Sequence, residues 1–392
     1  MVAAAKVVKR IPRRTEDMST VTSDAFRYAH QHHSEIAWLS QNTNHLVPPG
    51  PIHRALEEAI RERLYEGYPL ATGDPELLDL IARDFAATKE RPFLTPSGTE
   101  ALYMITRSLL GPGDEVIATD PSYLIIHKFI ELAQAHTKNL DIYAPPYRLT
   151  ANRIQGAIGP RTKMILLIDP LNPLGSGYPR EEIRAIAEIA HDRHLYLVND
   201  VTYRDFSDGH TLAAEFAPEE TVTVWSVSKN CGLAGMRIGG FLARPELTQT
   251  IGRFNTNDLG VNVLAQVAAR AALKSKSTWI GEVVRQTRAN CDRIRDVVAG
   301  LKGTSLPVYP SRANMMVIDI QGTGVSPDAL QDEMLYRHQV FIRSGNYLSP
   351  THGRRFVRIS FSNPPADIER FAKAFPVAME TLRAKAPVPP AA

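Results

Sequence analysis

Cysteine is nearly absent from this sequence, which has only Cys231 and Cys291 in 392 residues. Two thiols cannot build a disulfide framework, and no C-x-x-C pair offers zinc-site spacing, so no metal is expected. So few cysteines favour a reducing, cytoplasmic location. No apolar run approaches the roughly 20 residues that a membrane-spanning helix needs, which argues against a membrane protein of that type.

An excess of one charge sign is also missing. Lys and Arg total 45 and Asp and Glu total 42, a net charge of +3, which gives no support for a nucleic-acid partner. No G-x-G-x-x-G pattern follows a first predicted strand, which disfavours an NAD-binding Rossmann enzyme. Hydrophobic residues at 44% and charged residues at 22% are typical of an ordinary globular protein.

The length predicts more than one structural unit, since single cores stop growing at roughly 250–300 residues. Residues 1–35 are expected to form an N-terminal arm, because Met1 to Arg14 is basic and carries no acid. The tail from Ala384 to Pro390 is predicted to be unstructured. We assign residues 50–285 to a large domain, and residues 286–385 together with about 36–49 to a smaller one.

Strand and helix patterns alternate through the predicted large domain. Helical spacing of apolar residues predicts helices over 76–85 and 180–193. Short, continuously apolar runs, typical of strands buried on both faces, occur at 116–119, 164–168, 195–198 and 222–225. This alternation predicts an α/β fold with a mainly parallel sheet flanked by helices.

The C-terminal part has a different pattern. Strands are predicted at 314–320, 340–343 and 356–361, followed by a closing helix over 368–382. We interpret this part as a smaller α+β C-terminal domain.

Residues that follow predicted strands are the first candidates for a site, because ligands bind beyond the carboxyl ends of an open parallel sheet. Ser97, Gly98 and Thr99 follow one strand and open a helix. Backbone N–H groups at such a helix start could hold an anion such as a phosphate. The alternative interpretation is an ordinary N-cap.

Three later strand ends add further candidates. Tyr123 follows the second strand, Asn172 the third, and Asp200 with Tyr203 the fourth. A buried aspartate is costly unless it is paired, so Asp200 could pair with a protonated ring nitrogen or cap the next helix. Asn172 precedes a proline, and Asn-Pro turns are also common helix and strand breakers.

The strongest signal is a lysine after the fifth strand. Lys229 lies within Ser226-Val227-Ser228-Lys229-Asn230 and is followed by Arg237. Most lysines are solvated surface groups. A lysine in a partly desolvated site has a lowered pKa and can act as a Schiff-base nucleophile. Ser226, Ser228 and Arg237 would supply donors to a phosphate.

These motifs together resemble the class I/II aminotransferases, pyridoxal-phosphate enzymes of fold type I. The resemblance extends from about Trp38 to Phe375, and its most specific part is S-x-S-K-x-x-G-x-x-G-x-R-x-G at 226–239. It implies that Lys229 forms a Schiff base with pyridoxal 5′-phosphate and that Asp200 pairs with the pyridine nitrogen. Around the cofactor phosphate the resemblance places Ser97, Gly98, Thr99, Ser226, Ser228 and Arg237.

The same resemblance assigns further positions. Tyr123 would stack on the cofactor ring, while Asn172 and Tyr203 would bond its 3′-oxygen. Arg358 matches the family's arginine for the substrate α-carboxylate. Tyr68 matches the tyrosine that reaches the phosphate of the neighbouring subunit, which implies a homodimer with composite active sites.

Two segments depart from the family pattern. Leu174 stands in the Asn172-Pro-x-Gly175 motif where the family often has Thr or Asn. The loop at 41–45 is a polar cluster where the family usually has a glycine-containing turn. Because substrate side chains are normally judged there, Asn44 joins Arg358 and Asn172 as a candidate substrate residue.

The resemblance implies transamination between an α-amino acid and a 2-oxo acid, with Lys229, Asp200 and Tyr203 as catalytic residues. Another pyridoxal-phosphate reaction on the same scaffold stays open, namely β-elimination, cyclisation, racemisation or oxidation, because the cofactor residues are shared. Histidinol-phosphate transamination is also possible, since Arg358 could bind a phosphate instead of a carboxylate. A non-catalytic effector-sensing domain is disfavoured, because fewer than forty residues precede the fold.

Overall fold

The computed structural model describes residues 24–86 and 90–385. The basic stretch from Met1 to Arg14 and most of the tail predicted to be unstructured lie outside this part. The α-helices are α1 Asp24–Gln31, α2 Gly50–Arg61, α3 Pro75–Asp84, α4 Gly98–Leu109, α5 Ile125–Leu132, α6 Ala151–Ala157, α7 Arg180–Asp192, α8 Pro245–Gly252, α9 Val263–Ala299, α10 Pro327–His338 and α11 Pro365–Lys385.

The strands form three sheets. They are β1 Ala37–Trp38, β2 Arg91–Thr95, β3 Glu115–Asp120, β4 His136–Asp141, β5 Thr162–Ile168, β6 Tyr196–Asp200, β7 Thr221–Ser226, β8 Gly239–Ala243, β9 Met315–Asp319, β10 Val340–Phe341, β11 Arg343–Ser344 and β12 Phe356–Ser360. The largest sheet has seven strands in the order β2-β8-β7-β6-β5-β3-β4. Strand β8 runs opposite to the other six described strands of this sheet, and the remaining pairs are parallel, which confirms a mainly parallel sheet.

The main core lies on both faces of this sheet. Every residue of β7 is buried, which explains why its sequence is a continuous apolar run. Helix α7 buries Ile183, Ile186, Ala187 and Ala190 along one face, the spacing that predicted it. Each large aliphatic side chain buried in this way stabilises the fold by about 1.5–3 kcal/mol.

Two strands of the large sheet, β4 and β8, were not predicted from the sequence. Strand β8 begins with two glycines, which are unfavourable in strands. Strand β4 reads His-Thr-Lys-Asn-Leu-Asp and remains partly exposed, so it carries no apolar run. Strand β2, which was expected before Ser97, contains Pro92 and lies at the other edge of the sheet, where proline is tolerated.

The C-terminal part builds a second core. Strands β11, β12 and β9 form an antiparallel sheet, against which Phe371 and Phe375 of α11 pack with Val357 and Ile359. The prediction of a single strand at 340–343 is wrong. It is split, because β10 pairs with β1 while β11 pairs with β12.

Helix α9 connects the two cores. It runs unbroken over Val263–Ala299, through the boundary predicted near residue 285. Its buried side chains include Ala268 and Val283 in the core beside β7 and Ile294 in the C-terminal core. The division into domains at this position therefore stays a prediction. No helix in the described ranges is both long enough and apolar enough to span a membrane.

Candidate active site

A cavity of roughly 760 Å³ opens at the carboxyl ends of β2, β3, β5, β6 and β7. This is the edge of the sheet where the sequence predicted a ligand. Twelve of the predicted site residues line it: Ser97, Gly98, Thr99, Tyr123, Asn172, Asp200, Tyr203, Ser226, Ser228, Lys229, Arg237 and Arg358. They come from stretches up to 261 residues apart in sequence, from 97 to 358.

One end of the cavity is rich in hydrogen-bond donors. Helix α4 begins there at Gly98, with Ser97 as its N-cap accepting from the backbone N–H of Glu100 at 3.4 Å. The Ser226 and Ser228 hydroxyls lie 2.9 Å apart beside it. The cavity-lining Arg237 adds a positive charge. Backbone N–H groups, hydroxyls and a guanidinium together form a donor set suited to a phosphate. The predicted N-cap is therefore present, and the phosphate contact stays a prediction that this donor set supports.

Close packing at this end depends on glycine. A Cβ on Gly239 would lie 2.5 Å from the backbone nitrogen of Gly98 and 2.7 Å from the Trp225 carbonyl oxygen. Such distances are below any real contact, so a side chain here would push the start of α4 away from β7. Gly239, the last residue of the motif at 226–239, thus allows the start of α4 to pack against β7.

Three residues that line the cavity have a strained backbone. Asn42, Ser97 and Arg237 adopt φ values of 53°, 115° and 52°. Left-handed or otherwise sparsely populated conformations of non-glycine residues cost about 1–3 kcal/mol each and concentrate at functional sites. The backbone conformations that place these side chains at the cavity therefore lower the stability of the fold.

Lys229 follows β7, and its amine is buried. Its Nζ donates a hydrogen bond to the backbone carbonyl of Gln41 at 2.8 Å. Burial, with the nearby positive charges of Arg358 and Arg237, lowers the pKa of Lys229 to about 7. A substantial fraction of the amine is then neutral near neutral pH, which is the form that attacks a carbonyl.

Asp200 ends β6 in a buried position. Both hydrogen bonds that it accepts from Thr202, from the hydroxyl at 2.6 Å and the backbone N–H at 3.1 Å, end on Oδ1. Burial raises the pKa of Asp200, and the bonds from Thr202 act in the opposite direction. A buried carboxylate with its second oxygen outside these bonds is suited to a cationic partner.

Two tyrosines, Tyr123 and Tyr203, also line the cavity. The Tyr203 hydroxyl accepts a hydrogen bond from the Asn42 amide at 3.0 Å, and the Tyr123 hydroxyl lies 3.2 Å from the Thr99 hydroxyl. Burial raises the pKa of both phenols. Both therefore stay protonated and able to donate across the physiological range.

Arg358 faces the same cavity from β12, in the C-terminal sheet. Its guanidinium donates to Asn172 Oδ1 at 2.9 Å and to the Ser40 carbonyl at 2.5 Å, while its Nε is buried without a hydrogen-bond partner among the described residues. Burial lowers the pKa of Arg358 to about 10, which still leaves it charged. A buried guanidinium held only by neutral acceptors is suited to a carboxylate.

Two predicted residues are not brought to the cavity. Tyr68 is 82% exposed and lies outside the residues that line it. Asn44 is likewise absent from the described residues that line the cavity, and its predicted substrate contact stays a prediction. Its amide donates to the Asn230 carbonyl and accepts from the Leu46 N–H, both at 3.1 Å, so Asn44 ties its loop to the residue after Lys229.

Sequence reasoning missed several residues of the wall. Ser40 and Gln41 contribute backbone carbonyls, which no side-chain motif reveals, and Asn42 contributes the amide that binds Tyr203. Phe26 of α1 and Arg343 of β11 also line the cavity. No motif marked Arg343, because its place opposite Arg358 depends on the pairing of β11 with β12.

These residues fit pyridoxal 5′-phosphate. The donor-rich end suits its phosphate, Asp200 suits its ring nitrogen, and Lys229 offers a neutral amine to its aldehyde. Tyr203 and Asn172 also line the cavity. Each polar group of the cofactor therefore has residues of suitable chemistry in the cavity.

Comparison with known proteins agrees with this chemistry. The profile of the family "Aminotransferase class I and II" matches residues 34–375. The chain is 27% identical over 339 residues to the aspartate/prephenate aminotransferase of Thermus thermophilus, covering 81% of this chain and 86% of that protein. It is also 27% identical over 303 residues to histidinol-phosphate aminotransferase 1 of Mesorhizobium japonicum, covering 76% and 79%.

A solved structure shows the same fold. An aminotransferase from Mycobacterium tuberculosis superposes with a TM-score of 0.83 at 23% identity, covering 96% of this chain and all of that one. The chain belongs to the class I and II aminotransferase family. It is a transaminase that uses pyridoxal phosphate, as the sequence motifs predicted.

Proposed function

We propose that Lys229 carries the pyridoxal phosphate and moves the proton in a transamination between an α-amino acid and a 2-oxo acid. The observation that carries this proposal is a lysine amine with its pKa lowered to about 7 in one cavity with Asp200 and Arg358. When bound, pyridoxal phosphate supplies an electron sink for the electron pair left at the substrate α-carbon.

The phosphate of the cofactor would be held by the donor-rich end of the cavity. The proposal assigns this contact to the start of α4, to the Ser226 and Ser228 hydroxyls and to Arg237. These groups come from two different strand ends, and the backbone strain at Ser97 and Arg237 supports a functional reason for their placement.

Lys229 would act as base and then as acid. Its amine, when not covalently engaged, would be about half neutral at its pKa of about 7. In the neutral form Lys229 could take the proton from the substrate α-carbon, and in the protonated form it could give a proton back. A proton-transfer group works best with a pKa near the working pH, which this burial provides.

Asp200 would keep a proton on the cofactor ring nitrogen. An ionised carboxylate at this depth needs a positive partner, and the hydrogen bonds of Thr202 to Oδ1 help to keep it ionised. Tyr203 and Asn172 would donate to the ring oxygen, since Tyr203 remains protonated. These contacts fix the ring relative to Lys229.

Arg358 would bind the α-carboxylate of the substrate. Its present acceptors are the neutral oxygens of Asn172 and Ser40, and a carboxylate is a stronger acceptor for a guanidinium than either. Binding there orients the α-carbon toward the sheet edge that carries Lys229.

We also propose a homodimer in which Tyr68 reaches the partner's cofactor phosphate. Five large apolar side chains are exposed within residues 60–70, namely Ile60, Leu64, Tyr65, Tyr68 and Leu70. Such a concentration of exposed apolar surface marks an interface. Tyr68 lies outside its own chain's cavity, which supports a role in the cavity of a second copy.

A cytoplasmic location is also proposed. Both Cys231 and Cys291 are free and buried, and burial raises the pKa of each thiol. Reduced, unreactive thiols are typical of a reducing compartment.

A half-reaction tests the proposed chemistry. The holoenzyme is mixed with one amino acid and no 2-oxo acid, and the cofactor absorbance and the products are followed. Stoichiometric conversion to pyridoxamine phosphate with one equivalent of 2-oxo acid is expected. Continuous release of ammonia with the 2-oxo acid would indicate elimination, and loss of chirality without oxo acid would indicate racemisation, and either result would overturn the assignment.

A further inference from the structure

Arg358 has a second arginine as its direct neighbour. Strands β11 and β12 pair antiparallel with Arg343 opposite Arg358, so both side chains leave the same face of the sheet. Both are buried, at 8% and 7% exposure, and both line the cavity. Like charges directly opposite each other on a sheet are destabilising, so this pair costs the fold stability.

The two arginines differ in their partners. Arg358 donates to Asn172 and Ser40. For Arg343 the contacts among the described residues are aromatic, since its guanidinium lies 3.8 Å from the ring centre of Tyr347 and 4.8 Å from that of Phe26. Its Nη1 is buried without a hydrogen-bond partner in the described part of the chain.

Burial and the charge of Arg358 lower the pKa of Arg343 to about 10, so it remains a cation near neutral pH. An aromatic ring face attracts a guanidinium, but it does not accept the hydrogen bonds that the N–H groups donate in the plane of the guanidinium. A buried cation without an acceptor is expensive. Tyr347 and Phe26 hold the side chain in place, while its Nη1 has no acceptor among the described residues.

The charges around the cavity indicate which kind of group Arg343 could bind. Its described lining carries three arginines and Lys229 against one carboxylate, Asp200. The proposed function uses Arg237 for the cofactor phosphate and Arg358 for the substrate α-carboxylate, and Lys229 is at least half neutral at and above its pKa of about 7. Arg343 is then the one lining cation of this set without an anion.

Resting on that proposed function, we propose that Arg343 is a specificity-determining residue that binds a second anionic group on the substrate. A side-chain carboxylate of a dicarboxylic amino acid or 2-oxo acid has this chemistry, and so does the phosphate of a phosphorylated amino acid. Arg358 then holds the α-carboxylate while its cross-strand neighbour holds the distal anion. Substrates with neutral side chains leave Arg343 unpaired.

Matched substrates test this assignment. The specificity constant kcat/KM is measured for L-aspartate and L-glutamate against L-alanine, and for O-phospho-L-serine against L-serine. At least a tenfold preference for the anionic member of one comparison is expected. The anionic group forms a charge-assisted hydrogen bond with Arg343, whereas a neutral side chain leaves the guanidinium without an acceptor. Preference for the dicarboxylic acids identifies a carboxylate, and preference for phosphoserine identifies a phosphate. No preference in any comparison would overturn the inference.

The variant Arg343→Met connects the preference to this residue. It should reduce the anionic-to-neutral ratio at least tenfold, whereas Arg343→Lys should retain part of it. The control is Arg355→Met, because Arg355 also lies over a tyrosine ring, 4.6 Å from the centre of Tyr143, but does not line the cavity. An unchanged ratio in Arg343→Met would contradict the assignment and leave the role of Arg358 intact.

A binding measurement keeps the inference testable apart from turnover. Glutarate and butyrate differ by one carboxylate, and their competitive binding is followed through the cofactor absorbance. Glutarate should bind the wild-type protein at least tenfold more tightly than butyrate, and Arg343→Met should remove this difference. Because the substitution removes a buried unpaired cation, the ligand-free variant should melt at or above the wild-type temperature. A folded variant that keeps the glutarate preference would refute the proposal.

Discussion

The lowered pKa of Lys229 makes a quantitative prediction for cofactor capture. The cofactor-free protein attacks the aldehyde of pyridoxal phosphate with a neutral amine, so the capture rate should follow the neutral fraction of Lys229. With a pKa of about 7, that fraction rises from about 9% at pH 6 to about 90% at pH 8. An ordinary lysine with a pKa of about 10.4 would be only about 0.4% neutral at pH 8.

Capture at pH 8 should therefore be on the order of 200-fold faster than by an unperturbed lysine of equal reactivity. The sign is fixed by the direction of the shift, because a pKa below the ordinary value means that neutral amine accumulates earlier as the pH rises. The assay mixes cofactor-free protein with pyridoxal phosphate in a stopped-flow instrument and records the absorbance of the covalent adduct from pH 5.5 to 10. Butylamine under the same conditions corrects for the titration of pyridoxal phosphate itself.

Substitutions at Arg358 test the physical cause. Burial is the larger contribution to the shift, and the positive charge of Arg358 is the next. Arg358→Leu should move the midpoint of the rate profile to higher pH, whereas Arg358→Lys, which keeps a charge, should leave it near the wild-type value. A wild-type midpoint above pH 9, or an equal midpoint in Arg358→Leu, would refute this account of the site.

Three further predictions follow from the proposed roles. Asp200→Ala should lower kcat at least a hundredfold with a much smaller loss of cofactor occupancy, because the ring nitrogen loses its proton; a near-normal kcat would reduce Asp200 to a structural residue. Arg358→Leu should lower kcat/KM for amino acids by 30-fold or more, since losing a charge-assisted pair costs about 2–5 kcal/mol; equal efficiency of the wild type toward an amino acid and its decarboxylated amine would argue against a carboxylate contact. Mixed dimers of Lys229→Ala and Tyr68→Phe subunits should be more active than either parent, because one site carries both substitutions and the other carries neither; absence of complementation, despite subunit exchange and a severe Tyr68→Phe defect, would contradict the shared site.

The parts of the fold that could be predicted are those whose local chemistry depends on few distant contacts. Strand β7 is buried on both faces, so its sequence had to be continuously apolar. Helix α3 begins with Asp74 accepting from the Leu77 N–H at 3.0 Å, a cap that is visible in the sequence as Asp-Pro. The edge strand β4 has no such signature, because its polar side chains are compatible with a loop.

The same distinction applies to the site. Lys229 and Asp200 are side chains at strand ends within recognisable motifs, so the sequence identified them. Gln41 and Ser40 act through backbone carbonyls, which any residue type would present. Arg343 became a candidate only when strand pairing placed it opposite Arg358, and that register depends on contacts between distant parts of the chain.

Borohydride reduction followed by peptide mass spectrometry tests the central claim most directly. The account predicts that reduction of the resting holoenzyme attaches the cofactor to the peptide that carries Lys229. Incubation with an amino donor before reduction should abolish this label, and an excess of 2-oxo acid should restore it, because the amino group moves on and off the cofactor. A label on another lysine, or a Lys229 label that a competent donor leaves unchanged, would contradict it.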